Sequence, residues 1–85
     1  GLIRDTGAIL LDMNPDQRVT HEVRSAIEAQ GDQVADLHVW RLGPGHLGAI
    51  VSVTTAMERD TRFYRDRLAR VRSLSHVTIE VERAA

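Results

Sequence analysis

The chain predicts an α+β domain of two layers, with elements in the order helix, strand, strand, helix, strand. Three observations carry this prediction: two stretches of alternating polarity on either side of a Gly-Pro-Gly turn, a third alternating stretch near the C-terminal end, and helical periodicity in the segments that flank the strand pair. Eighty-five residues make a single domain. At that size one hydrophobic core is marginal, and a second chain or a bound ion would help to hold it.

Residues 1–13 place Leu2, Ile3, Thr6, Ile9, Leu10 and Met13 on one 3.6-period stripe, with Arg4, Asp5 and Asp12 off it, which predicts a short amphipathic helix that packs on its own domain or leads into it as a stem. The rest of the domain, residues 14–85, opens with Asn14-Pro15-Asp16-Gln17. Asn14 suits a cap, Pro15 suits the first helical position because its missing N–H is not needed there, and Gln17 completes a capping-box spacing. Val19, Val23, Ala26 and Ile27 form the apolar face and Gly31 the stop, so this helix is expected over residues 15–30.

The first strand is expected over residues 34–42, with Ala35, Leu37 and Val39 toward the core and Asp36, His38 and Trp40 on the opposite face. Gly43-Pro44-Gly45 breaks it, and a second strand over residues 46–54 turns Ala49, Val51 and Val53 inward and Gly48, Ile50 and Ser52 outward. Helical period returns over residues 57–72 through Met57, Thr61, Tyr64, Leu68 and Val71, with six arginines mostly outside that stripe. In the third strand Val77, Ile79 and Val81 alternate with His76, Thr78, Glu80 and Glu82.

A strand-helix-strand connection joins parallel strands, so strand three belongs beside strand two and the mixed sheet takes the order 1-2-3. The two helices then cover the face carrying Leu37, Val51 and Ile79, which is a ferredoxin-like α-β-β-α-β sandwich. The other face stays bare. A hairpin turning over Pro44 sets His38 opposite Ile50 and Asp36 opposite Ser52, with Ser52 adjoining Glu80 or Glu82. Asp36, Glu80 and Glu82 are thus expected to make a carboxylate-rich corner, read either as solvated acids at a strand end or, with His38, as ligands for a divalent ion. Trp40 and Ile50 on an uncovered face mark it for homodimerisation.

Composition removes several function classes. With no cysteine there are no disulfides, thiolate metal sites or cysteine nucleophiles. All 11 basic residues are Arg, so there is no Schiff-base lysine. A formal net charge of -1 argues against a dedicated nucleic-acid binder. A ferredoxin-like RNA-binding or protein-interaction module is the alternative reading, drawn from the Arg-rich second helix, but one Trp, one Tyr and one Phe make no stacking platform. No serine-histidine-acid set or phosphate loop points to an enzyme. Gly43-Pro44-Gly45-His46-Leu47-Gly48 matches the dinucleotide pattern G-x-G-x-x-G only formally, since it joins two strands of a hairpin. His21, His46 and His76 are read as structural or solvated, with His46 alternatively a metal ligand shared with a neighbouring chain. No apolar run reaches the roughly 18 residues of a membrane span, and a start at Gly1-Leu2-Ile3 inside a helix reads as a fragment of a longer protein.

The strand Asp36-Leu37-His38-Val39-Trp40-Arg41-Leu42, the ending His76-Val77-Thr78-Ile79, Pro15 at the opening of the helix and an acid at position 82 together resemble the cytoplasmic C-terminal domain of cation diffusion facilitators. The resemblance covers essentially the whole chain. It implies a domain that dimerises in the cytoplasm, beneath the transmembrane part of a proton-coupled exporter in the inner membrane, and that binds divalent transition metal between and beside two protomers. It also implies that residues 1–13 continue from the last membrane span. Many members carry a His immediately before the Asp of strand one, another late in strand two, and an acid on strand three. Here those places hold Ala35, Ser52 and Glu82, which leaves Asp36, His38, Glu80 and Glu82 as the available ligands. The Arg-Leu-Gly-Pro-Gly-His turn is most similar to the cobalt, nickel or iron exporters.

Overall fold

The computed structural model describes residues 15–84. They form α1 (Pro15–Glu28), β1 (Gln33–Gly43), β2 (His46–Thr55), α2 (Thr61–Leu68) and β3 (Leu74–Arg83). The expected stem helix and the Asn14 cap lie outside these residues. β2 is the middle strand, antiparallel to β1 and parallel to β3, so the sheet order is β1-β2-β3 and the fold is the ferredoxin-like α+β sandwich. Among the described residues no helix is long and apolar enough to cross a membrane.

The core lies between the helices and one face of the sheet. Val19, Val23 and Ile27 of α1 meet Leu47, Val51 and Val53 of β2, with Tyr64, Leu68 and Val71 from the α2 region and Ile79 of β3 completing the cluster. The helix α1 is rich in β-branched residues, each a few tenths of a kcal/mol poorer than Ala as a helix former. Burial of a Val or Ile side chain contributes about 1.5–3 kcal/mol, so the packed stripe outweighs propensity and holds the helix. The helix closes through N–H donation from Gln30 to the Ile27 carbonyl and from Gly31 to the Glu28 carbonyl. Gly31 has φ 90°, where a side chain is strained, and this turn ends the helix at Glu28, short of residue 30.

The hairpin register agrees with the pairing expected over Pro44: Asp36 lies opposite Ser52, His38 opposite Ile50 and Trp40 opposite Gly48. Pro44 and Gly45, the latter at φ 74°, supply the turn. One expectation for β1 is overturned. A bulge between Val34 and Asp36 adds a residue to the strand, so Val34 packs on the core and Ala35, expected inward, is exposed.

The second helix also differs from its expected span. It begins at Thr61, where the Asp60 carboxylate accepts the Phe63 N–H and caps the first turn, and it runs only to Leu68. Met57 and Thr61, expected on the buried stripe, are exposed, whereas Tyr64, Leu68 and Val71 are buried as expected. Eight residues do not make a stable helix alone. This one is held by the burial of Tyr64 and Leu68 and by the edge-to-face contact of the Phe63 and Tyr64 rings, whose centroids are 5.1 Å apart.

Candidate functional site

The face of the sheet opposite the helices is the candidate site, and the strand register arranges it in rows. Across β1, β2 and β3 the rows read Gln33, Thr54, Glu82; then Asp36, Ser52, Glu80; then His38, Ile50, Thr78; then Trp40, Gly48, His76. Every residue expected on this face is on it. No described element covers it.

Trp40 is half-buried, because its indole lies against Gly48 on the neighbouring strand. A Cβ built on Gly48 would come within 2.7 Å of Trp40 Cζ2, so only glycine admits the ring this close to the backbone. The expected exposure of Trp40 is therefore partial, with the ring packed against its own sheet. Ile50, 40% exposed, is the large apolar side chain left open beside it in the adjoining row.

The acids are spread over two rows. Asp36 and Glu80 flank Ser52 in one row, two strand spacings or roughly 9.5 Å apart at the backbone. The Ser52 hydroxyl donates to Glu80 Oε1 at 2.9 Å, while Asp36 Oδ2 lies 3.3 Å from His38 Nε2, an ion pair only when that imidazole is protonated. Glu82 stands one row further along, beside Thr54. Asp36 is thus joined to His38, and Glu80 to Ser52. Among the described residues of one copy, no group of three or more His, Asp or Glu side chains is placed to hold a metal ion.

A cavity of about 350 Å³ nevertheless opens at this end of the sheet, and Ala35, Ser52, Glu80 and Glu82 line it. The β1 bulge places Ala35 there by turning it out of the core. The remaining histidines lie elsewhere: His46 Nδ1 is 2.6 Å from Ser75 Oγ near the hairpin end, His21 is exposed on α1, and His76 shares the last row with Gly48.

A buried polar cluster behind the sheet was not legible in the sequence. Asp32, 5% exposed, accepts hydrogen bonds from Tyr64 Oη at 2.6 Å and from Arg59 Nη1 at 2.8 Å. Arg59 also donates to the Gln30 carbonyl at 3.1 Å and lies over the Phe63 ring, and its side chain is only 19% exposed. Of the six arginines expected mostly outside the buried stripe, Arg59 is the one drawn into this buried cluster. Burial by itself raises the Asp32 carboxyl. Hydrogen bonds from Thr55, Tyr64 and Arg59, with the Arg59 charge, outweigh that effect and hold it below the usual carboxylate range. Tyr64 is pushed up by burial and by its bond to Asp32. These groups tie the end of α1, the start of β1 and the start of α2 together, and their role is structural. Separations of 27 and 32 residues along the chain left no local signal for the pairing.

No family model matches this sequence, and no curated protein matches it.

Proposed function

We propose that this chain is the cytoplasmic dimerisation and metal-sensing domain of a cation diffusion facilitator, a proton-coupled exporter of divalent transition metal ions such as cobalt, nickel, iron or zinc. The observation that carries the reading is the cavity at the end of the open sheet face. Ala35, Ser52 and Glu82 occupy the places where that family holds its ligands, and all three line this one cavity together with Glu80. The α-β-β-α-β order and the uncovered sheet face support the same reading.

With Ala35 and Ser52 at two of these places, Glu80 and Glu82 offer carboxylate oxygens and Ser52 a hydroxyl. Oxygen donors of this kind bind zinc less selectively than imidazole does. Among the described residues a single copy offers too few donors at this cavity, so the ion is held between copies. Two open faces packed together, with Ile50 and Trp40 at the contact, bring a second set of acids to the first. A cation there cancels the repulsion between carboxylates and favours the compact dimer over the open one, and only that difference in affinity lets metal bias an attached transporter.

Sedimentation of the chain at tens of micromolar, with and without cobalt chloride, tests the proposal. A dimer that tightens with cobalt supports it. A monomer in both conditions removes it.

A further inference from the structure

The helix layer of this domain is wider than its sheet. Two helices side by side span roughly 20 Å, whereas three strands at about 4.8 Å spacing support roughly 14 Å. The overhang falls along the outer edge of β3. There a cavity of about 540 Å³, lined by Leu68, Val71, Leu74 and Val77, opens between the α2 region and the start of the strand. A second, of about 790 Å³, lies against Phe63 and Val81 at its far end, where Arg83 is paired with Glu58 and Asp60 stands close by. Both occupy the space that helix-side side chains of a fourth strand would fill.

The edge itself is prepared for pairing. β3 keeps a regular register through eight consecutive pairs, from Gly48 with His76 to Thr55 with Arg83, and contains no proline. β1, the opposite edge, is interrupted by bulges near both ends. Natural sheets use such interruptions to blunt an edge, and β3 has none beyond Ser75. Donation from the Ala84 N–H to the Thr55 carbonyl sets the phase of the ladder. With a strand period of two, the backbone groups of Val77, Ile79 and Val81 face outward.

The rim of the first cavity carries Arg65 and Arg72, both exposed and neither in an ion pair among the described residues. We propose that the β3 edge and the groove beneath α2 bind an extended acidic peptide segment of a partner protein as a fourth strand. Its backbone pairs with Val77, Ile79 and Val81, its apolar side chains enter the groove, and its carboxylates meet Arg65 and Arg72. A second copy fits the charge less well, because pairing β3 with β3 would set two arginine-bearing α2 helices side by side. This edge is separate from the open sheet face, so the inference stands independently of the metal reading.

The test uses two fluorescein-labelled ten-residue peptides of alternating Val and Thr, one with two Val positions changed to Glu and the other with the same positions changed to Lys. Anisotropy titration is expected to show binding of the Glu peptide and a loss of roughly tenfold with Arg65→Glu/Arg72→Glu. The milder Arg65→Gln/Arg72→Gln variant should lie between, and circular dichroism checks that both variants fold. Amide exchange by NMR should slow at Val77, Ile79 and Val81 when the Glu peptide binds. Equal binding of the Lys peptide, indifference to both double variants, or unchanged exchange at those three amides would overturn the proposal. Protection of the same amides by raising protein concentration alone would assign the edge to a second copy and overturn it equally.

Discussion

The Asp32 carboxylate accepts a hydrogen bond from the Tyr64 hydroxyl at 2.6 Å, although 32 residues separate the two in the chain. Both groups are buried, and Arg59 completes the charge balance at 2.8 Å from the same oxygen. Losing the carboxylate leaves Arg59 and Tyr64 in low-dielectric surroundings without their acceptor. Asp32→Ala should therefore cost about 3 kcal/mol, and Tyr64→Phe about 2 kcal/mol, read as lowered denaturation midpoints in urea.

The same pair sets a pH dependence. Folding holds Asp32 below its ordinary value, so the folded state binds fewer protons than the unfolded one in that range. The stability it contributes is fully present above the unfolded carboxyl value of about 3.9, and it is lost as pH falls through the lowered folded value. Tyr64 is raised, so its contribution is present below about pH 10 and fades as pH rises through the folded value. Asp32→Asn should flatten the acid side of a stability-against-pH curve. An unchanged acid limb would show that other carboxylates control it.

Gly48 admits the Trp40 ring, and Gly48→Ala removes the space. With an added Cβ 2.7 Å from Trp40 Cζ2, the indole must lift off the strand. The expected cost is about 1–3 kcal/mol, accompanied by a red shift of the emission of the chain's single tryptophan. An unshifted spectrum would mean that the ring already lies elsewhere in solution.

Ile50 is an open apolar side chain of the sheet face, and Ile50→Glu is expected to separate the proposed dimer while leaving the fold intact. Trp40→Glu should do the same but also lower stability, because Trp40 packs on Gly48. Ultracentrifugation gives the mass and circular dichroism the fold. An Ile50→Glu protein that remains dimeric would move the contact away from this face.

Strand order, hairpin register and the membership of the open face were legible because period-two alternation and a Pro-Gly turn are local signals, and Asp36 opposite Ser52 follows from counting around Pro44. The bulge that exposes Ala35 was not, since it changes the phase of β1 without altering the hydrophobic pattern, and Val34 and Ala35 are both acceptable in the core. The start of α2 was misplaced because Met57 fits the helical period, whereas the capping bond from Asp60 to the Phe63 N–H decides where the helix begins. Within the candidate site, the nearness of Ser52 and Glu80 was readable from strand order. The preference of Asp36 for His38 depends on side-chain positions that spacing does not supply.

Metal sensing requires that the acids at the end of the open face bind a divalent ion. Calorimetric titration with cobalt and with zinc tests this most directly, applied to the wild type, Glu82→Ala and His21→Ala. Glu82 lines the cavity and His21 stands on the opposite layer, so Glu82→Ala should lose binding and His21→Ala should keep it. The binding should be weak, should tighten the proposed dimer, and should weaken as pH falls, because protonated carboxylates are no longer ligands. Absence of heat with either metal, or equal loss in both variants, would contradict metal sensing and leave this face with dimerisation alone.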